Sequence, residues 1–235
     1  MKKYLLLLTF LSVIGNAQIV RKYSNEFLNI GAGARGLAMG GAVISNQNDV
    51  YAPMWNPAGL TEVESDWQGA AMHAEYFESI AKYDYISFAK ALDSKDGVLG
   101  ISIVRLGVDN ILNTTQMIDS EGNIDYDKIS KFSTSDYAGI ISYAFRPGGN
   151  QKLSVGINAK IVYRNIGKFA NGFGFGFDVG TIYRADSGYQ FGAMLRDATT
   201  TVNFWSINQK ELSAVVNGEE FNPAPKDKME ITMPK

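Results

Sequence analysis

The fold class is decided by the stretch Leu153-Ser154-Val155-Gly156-Ile157-Asn158-Ala159-Lys160-Ile161-Val162-Tyr163, in which apolar residues alternate with polar or small ones. A period of two residues, sustained over about eleven positions, is typical of a β-strand with one apolar and one polar face. The following segment repeats the pattern, with Phe173, Phe175 and Phe177 on one face and glycines on the other. The sequence therefore predicts two long consecutive strands.

Similar runs divide the chain from residue 67 onward into about seven predicted strands. The runs cover 69–78, 83–91, 98–106, 135–145, 153–164, 173–183 and 189–196. No helical segment separates them, which favours antiparallel pairing. Strands of about eleven residues match the roughly 9–11 that cross a bilayer with tilt, whereas soluble strands have a mode of about 5–6. We therefore predict an all-β fold, a transmembrane antiparallel β-barrel, with a secreted soluble β-sandwich as the alternative.

The lengths of the connections predict which side of the sheet faces the cell exterior. The turns at 93–97, 147–150 and 186–188 are short, and they are alternate connections, so antiparallel strands place them on one side. The long segments 107–134 and 197–229 belong to the other side. Because outer-membrane barrels have short periplasmic turns and longer extracellular loops, we expect the two long segments to be extracellular.

The first residues have the parts of a secretory signal peptide. Lys2 and Lys3 form the charged region, residues 4–14 are apolar, and Gly15 and Ala17 are the small residues before the cleavage point. An apolar run of about eleven residues is too short for a spanning helix, and no later stretch approaches the length that one needs. We predict a cleaved signal peptide at 1–17 and export to the cell outer membrane.

Residues 18–66 differ from the predicted strands because they are rich in Gly, Ala and Asn and show no sustained period. Many glycines allow close packing of the main chain. The sequence thus predicts a signal peptide at 1–17, an N-terminal hatch or plug segment at 18–66, and barrel strands and loops at 67–235. We expect the barrel to be incomplete at the C-terminus, where 222–225 and 229–234 read as a loop returning toward a further strand.

Composition excludes several classes of function. Lys and Arg number 22 against 24 Asp and Glu, and the net charge of −2 offers no basic surface for nucleic acid. The chain has no cysteine and one histidine, His73, so thiolate metal sites and histidine-based triads lack their residues. We predict that the protein is not an enzyme and has no cofactor and no metal site.

Three local patterns have a chemical interpretation and a structural alternative. The stretch Gly31-Ala32-Gly33-Ala34-Arg35-Gly36 fits a dinucleotide-binding motif but lacks the strand, helix and acidic residue that the motif needs. The segment 119–127 is rich in carboxylates, yet its spacing does not match a calcium loop. The third pattern comprises Lys160, Arg164, Asp178 and Arg184, which we expect to face inward, as a charge network or as ordinary polar lining.

Two stretches carry a family resemblance. Residues 23–42, which include Gly36-Leu37-Ala38-Met39-Gly40-Gly41-Ala42, and residues 51–60, which include Trp55-Asn56-Pro57-Ala58-Gly59-Leu60, resemble the PorV/PorQ family of FadL-like outer-membrane barrels, abundant in Bacteroidetes. The resemblance implies that the motif residues belong to the hatch. They are Gly36, Met39, Gly40, Gly41, Trp55, Asn56, Pro57, Ala58 and Gly59.

The resemblance also implies a barrel of about fourteen strands, roughly twice the number predicted here, with the N-terminal segment folded into its lumen. The resemblance to PorV implies a role in type IX secretion. In this role the extracellular loops and the barrel rim bind exported cargo with C-terminal sorting domains or associate with the translocon. The resemblance to FadL implies the alternative function, a channel for long-chain fatty acids or other hydrophobic small molecules. The expected partners are outer-membrane lipid, the translocon and cargo proteins. A purely structural outer-membrane protein is the third hypothesis.

Overall fold

The computed structural model describes residues 25–92, 97–119, 121–198, 201–212, 214–216, 219–221 and 229–232. The predicted signal peptide at 1–17, the first part of the predicted hatch at 18–24 and residues 93–96 of one predicted turn lie outside this range.

The described residues form a mostly antiparallel β structure, as the alternation predicted. The strands are β1 (Trp67–Tyr76), β2 (Ala81–Ala91), β3 (Gly97–Asn113), β4 (Ser130–Phe145), β5 (Leu153–Ile166), β6 (Ala170–Arg184), β7 (Gln190–Leu195), β8 (Thr201–Ile207), β9 (Ala214–Val216), β10 (Glu219–Phe221) and β11 (Met229–Thr232). The seven predicted strands are confirmed as β1 to β7. All but β7 are at least as long as predicted.

A single large sheet, curled like half of a barrel, contains nine of these strands. Its order is β1-β2-β3-β4-β5-β6-β8-β11, and β7 also pairs with β6. Every pairing in this sheet is antiparallel. From β1 to β7 each strand pairs with the next one along the chain, whereas β8 pairs with β6 and β11 pairs with β8. Strands β9 and β10 form a separate hairpin.

Strands β7 and β8 lie end to end along β6. Val179 of β6 pairs with Leu195 of β7, and Phe175 of β6 pairs with Val202 of β8, so both strands run antiparallel to β6 with extra residues between them. The prediction of one long connection at 197–229 is therefore wrong at its start. The chain re-enters the large sheet as β8, which ends at Ile207, and β11 pairs with β8.

The long connection predicted at 107–134 is also too long at both ends. Strands β3 and β4 continue to pair as far as Asn113 and Ser130, past an irregularity between Val108 and Ile111. The connection is 114–129. Because β2 starts opposite Val108 and β5 ends opposite Thr134, the end of the β3–β4 hairpin extends beyond both neighbouring strands.

The N-terminal segment, residues 25–66, forms short helices that cover one face of the sheet. They are a 3-10 helix at Glu26–Asn29, α1 (Ala34–Ala38), α2 (Ala52–Trp55) and a 3-10 helix at Pro57–Glu62, and α3 (Gln209–Leu212) follows β8. We call the covered face the inner face and the opposite one the outer face. No helix in the described part of the chain has the length and apolar character to span a membrane.

Candidate functional site

The two motif stretches meet around the indole ring of Trp55, which is 7% exposed. A Cβ atom on Gly31 or Gly36 would lie closer than 3.0 Å to this ring, and one on Gly41 would lie 3.1 Å from it. Gly31 and Gly41 also have positive φ angles, 82° and 80°, which other residues rarely adopt. The indole Nε1 donates to the Ala32 carbonyl at 2.7 Å. The glycines are therefore needed where the chain wraps the ring.

Asn56 fastens the N-terminal segment to the sheet. Its side chain is fully buried, and its Nδ2 donates to the carbonyls of Ile44 at 2.8 Å and Thr181 at 3.1 Å. Its Oδ1 accepts from the Ala58 amide at 3.1 Å and so caps the helix that Pro57 begins. The missing side chain of Gly180 makes room for the Asn56 amide.

Two of the remaining motif residues, Pro57 and Ala58, pack on a glycine of the sheet, and Gly59 packs within the N-terminal segment. Pro57 and Ala58 lie against Gly156, where a Cβ atom would come closer than 3.0 Å to their main-chain atoms. Gly59 lies against the main chain of Gln47, which also leaves no space for a Cβ atom. Pro57, Ala58 and Gly59 are buried in a helical turn and do not pair as a strand of the sheet.

Met39 and Gly40 are not part of this contact. Met39 is 41% exposed, and a Cβ atom on Gly40 would meet nothing within 4 Å. The φ angle of Gly40, 61°, instead requires glycine for the turn that follows α1. Of the nine predicted residues, six lie in the contacts with Trp55 or with the sheet, Gly59 lies in a contact within the N-terminal segment, and two lie in this exposed turn.

The wall glycines are site residues that sequence reasoning did not identify. Gly156 and Gly180 are direct partners across β5 and β6, and Gly100 of β3 contacts Leu60. The available signal was their position, since each falls on the polar, small-residue face of an alternating strand. Which of the many such glycines would receive the N-terminal segment depends on long-range packing.

A buried charge triad lies beside this contact. Lys160 Nζ is 2.6 Å from Asp178 Oδ1 and 2.6 Å from Asp197 Oδ1, and the three side chains are 5–7% exposed. The Asp197 amide also donates to Asp178 Oδ1 at 2.9 Å. Asp197 has a positive φ angle of 52° and lies between β7 and β8, so the interruption of the wall strand is what brings its carboxylate inward.

Hydrogen bonds join the triad to the N-terminal segment. Asn158 Nδ2 donates to Asp178 Oδ2 at 3.0 Å and to the Pro53 carbonyl at 2.8 Å. The Ser142 hydroxyl donates to Asn158 Oδ1 at 2.7 Å. Arg196, next to Asp197, donates to the Met54 carbonyl at 2.6 Å. The network therefore links strands β4, β5 and β6, and the connection between β7 and β8, to helix α2.

The predicted inward charges form separate pairs instead of one network. Arg164 pairs with Asp136 at 2.8 Å, and Arg184 pairs with Glu62, which also binds Arg146 at 2.8 Å. Burial alone would raise the pKa of Glu62, but hydrogen bonds and charge from Arg184 and Arg146 hold that pKa below its ordinary value. Glu62 thus anchors the end of the N-terminal segment, as a carboxylate, to Arg146, which directly follows β4, and to Arg184 of β6.

The space left at the triad is small. A cavity of about 20 Å³ lies between the N-terminal segment and the sheet. It is lined by Leu28, Met54, Ile140 and Arg196 together with the triad. This volume accommodates about one water molecule. The described residues contain no group of three or more acidic, His or Cys side chains arranged for a metal ion. The arrangement is suited to holding the segment in place.

The other two patterns have structural roles in the described residues. The stretch 31–36 follows a 3-10 helix and leads into the five-residue helix α1, so it lacks the strand–turn–helix context of a dinucleotide site. In the segment 119–127, Asp119 Oδ1 accepts from the amides of Glu121 and Asn123, both at 2.9 Å. These loop hydrogen bonds lower the pKa of Asp119.

Comparison with known proteins does not extend the resemblance drawn from the motifs. No family model matches the chain, and no curated protein matches it.

Proposed function

We propose that this protein is a non-catalytic outer-membrane β-barrel protein whose N-terminal segment is a lumenal hatch. The observation that carries the proposal is the polarity of the sheet. Lys160, Asp178 and Asn158 are buried on the inner face, whereas Ile161, Phe175 and Phe177 are 41–53% exposed on the outer face. In a water-soluble protein, charged side chains are mostly exposed and large apolar side chains are mostly buried. An outer-membrane barrel has a polar interior and an apolar outer surface in contact with lipid.

The dimensions of the outer face support the membrane assignment. In β6 the outward aromatic and aliphatic positions extend from Phe173 to Tyr183, with Thr181 among them. Ten residue steps of about 3.3 Å give about 33 Å along the strand. At a tilt of about 40° this corresponds to about 25 Å along the membrane normal, the height of the apolar band of outer-membrane barrels.

The end of the outer face also resembles a membrane boundary. Tyr137, Tyr163, Phe173 and Phe204 follow one another across β4, β5, β6 and β8 as paired positions. Two residues further along the same strands, the paired positions are Ser135, Asn165, Asn171 and Ser206. An aromatic row followed by a polar row is typical of an interfacial girdle.

The proposed role is in type IX secretion, where the extracellular loops and rim bind exported cargo or the translocon. The motif resemblance supports this role. The filled inner face supports binding at the surface over conduction, because the cavity beside the triad holds only about 20 Å³. The connection 114–129 presents Ile118, Ile124 and Tyr126 at 45–71% exposure, which suits contact with a protein partner.

The alternative is a FadL-like channel for long-chain fatty acids or other hydrophobic small molecules. One observation favours it: the cavity at the hatch boundary combines the apolar Leu28, Met54 and Ile140 with the basic Arg196. Movement of the hatch would be needed to widen it.

Deleting the gene separates the two functions. Loss of secreted proteins with C-terminal sorting domains is the expected result, and loss of growth on a lipid substrate with normal secretion would favour the channel. A second strain carries the gene with the connection 114–129 shortened. Its barrel should still assemble in the outer membrane, whereas capture of the partner should fail.

A further inference from the structure

We infer that a groove at one end of the sheet, between the β1–β2 turn and the irregularity in β3, is a docking site for a peptide segment with apolar and basic side chains. The groove has a volume of about 360 Å³ and is lined by Glu78, Ile80, Lys82, Val108, Asp109 and Ile111. Volumes of this size accommodate small ligands or a few side chains. It lies at the same end as the connection 114–129, away from the buried triad.

Both walls of the groove have an unusual main-chain conformation. Phe77, Glu78 and Ser79 have φ angles of 55°, 55° and 67°, three consecutive non-glycine residues in the left-handed region. Across the groove, Asn110 has a φ angle of 60° at the point where the β3–β4 register shifts. Such conformations persist where the surrounding structure imposes them, and they are frequent at ligand-binding positions.

The turn presents apolar side chains to solvent. Phe77 is 79% exposed and Ile80 is 59% exposed, and Ile80 faces Val108 and Ile111 across the groove. Large apolar side chains at an exposed turn are not required by the hairpin itself, for which Gly, Asn and Asp are the favoured residues. They are suited to receive an apolar side chain of another molecule.

The charge around the groove selects the partner. Lys82 Nζ pairs with Asp109 Oδ2 at 3.1 Å, and Glu75 accepts from the Ser79 hydroxyl. Glu78, at the rim, has no hydrogen bond or ion pair with any residue that the structure describes. The lining of the groove thus has two carboxylates, from Glu78 and Asp109, and one ammonium group, from Lys82, which leaves it with a net negative charge. This balance repels the phosphates of lipid headgroups and attracts Lys or Arg of a peptide.

The inference deepens the proposed function, because it names the chemistry of the partner segment that an extracellular rim would bind. The test uses the purified full-length protein in a non-ionic detergent, so that lipid is not a competing ligand. The probe is a fluorescently labelled hexapeptide of alternating Leu and Lys, and its counterpart alternates Leu and Glu. Fluorescence anisotropy at low ionic strength measures the dissociation constants, with empty micelles as the background.

We expect the Leu–Lys peptide to bind and the Leu–Glu peptide not to bind. Glu78→Lys should weaken binding of the first peptide by about tenfold or more, since it reverses the one unpaired charge at the rim. Phe77→Ser and Ile80→Ser should weaken it as well, without a change in charge. Both positions are exposed in a turn, and the heat-modifiable migration of the folded barrel on a gel checks that each variant is assembled.

The matched control is Glu64→Lys, the same charge reversal at an exposed carboxylate that precedes β1, at the opposite end of this strand from the groove. It should leave the dissociation constant within about twofold of the parent value. Equal binding of the two peptides, unaltered binding by Glu78→Lys, or an equal loss of binding in Glu64→Lys would each overturn the docking site. Secretion and membrane localisation are separate measurements, so failure of the groove and failure of the proposed function are distinguishable.

Discussion

Asn158 on the inner face of β5 donates its side-chain amide to the main-chain carbonyl of Pro53 at a distance of 2.8 Å. This bond joins two parts of the chain that are 105 residues apart. It is one of several polar contacts, with those of Asn56, Arg196 and Glu62, that fix the N-terminal segment to the sheet. Substitutions at this contact should therefore weaken the attachment of the N-terminal segment to the sheet.

Gly156→Ala should weaken the attachment. The added methyl group would meet the main chain of Pro57 and Ala58, which has no flexible end to move aside. Overpacking of this kind costs about 1–3 kcal/mol of unfolding free energy. Urea titration of the protein in lipid vesicles measures the loss, and limited proteolysis of residues 25–66 shows whether the segment is released.

Gly139→Ala is the matched control for this substitution. Gly139 lies in the neighbouring strand β4, where a Cβ atom would meet nothing within 4 Å. Its replacement should leave stability unchanged or raise it by up to about 1 kcal/mol, because alanine loses less conformational freedom on folding. Equal losses in the two variants would mean that glycine is needed for the strands and not for the contact.

Lys160→Met should cost about 3–5 kcal/mol of unfolding free energy, because it leaves the carboxylates of Asp178 and Asp197 buried without their cation. Lys152→Met is the control, since Lys152 Nζ also lies 2.6 Å from a carboxylate, that of Asp186, but both side chains are 47–83% exposed. Exposed pairs contribute about 0–1 kcal/mol. The same denaturant titration compares the two, and a loss below about 1 kcal/mol in Lys160→Met would contradict the structural role of the triad.

Alternation in the sequence was sufficient to predict the seven strands β1 to β7, because each contains a run that keeps one phase between its two faces; in β3 this run ends before the irregularity at Val108. Strand β8 was missed for a physical reason. The exposed positions of β7 include Phe191 and Leu195, which have odd numbers, whereas those of β8 include Phe204 and Ser206, which have even numbers. The residues between the strands shift the phase, so a pattern of period two ends at residue 196.

The candidate site was predictable only in part. The motif stretches contain Trp55 and Asn56, and the structure places both at the centre of the contact. The partner of Asp197 could not be predicted, because no local sequence pattern indicates which cation a carboxylate between two strands will pair with. Its burial depends on Lys160, which lies 37 residues away in sequence.

Acid should loosen the N-terminal segment at Glu62. The pKa of Glu62 in the folded protein lies below its ordinary value of 4.5, so its ion pairs contribute stability that is present above about pH 4.5 and is lost as the pH falls through the folded value. Protease susceptibility of residues 25–66 should therefore rise as the pH falls below about 4.5. Glu62→Gln should make the segment susceptible at neutral pH and remove the dependence. Glu64→Gln, two residues away and exposed, should behave like the parent.

The two ends of the sheet should face opposite sides of the outer membrane. We expect the connection 114–129 to be extracellular, and the turns at 146–152 and 185–189, at the opposite ends of the strands, to be periplasmic. One protease recognition sequence inserted into 114–129, and in a second variant into 185–189, provides matched substrates. In intact cells the first should be cleaved and the second spared, with both cleaved after the outer membrane is permeabilised. The reverse result would invert the assignment.

Phe177→Lys tests whether the outer face lies in lipid. Phe177 is 41% exposed near the middle of the apolar outer face of β6, where a soluble protein would tolerate lysine within about 0.5 kcal/mol. In a bilayer, lysine near the midplane costs about 2–4 kcal/mol, so we expect a large fall in assembled outer-membrane protein. Ser206→Lys, in the polar row beyond the aromatic girdle, should assemble as the parent does because a charge there remains in the headgroup region. The yield of heat-modifiable barrel in outer-membrane fractions compares the two variants, and normal assembly of Phe177→Lys would exclude the membrane-embedded barrel.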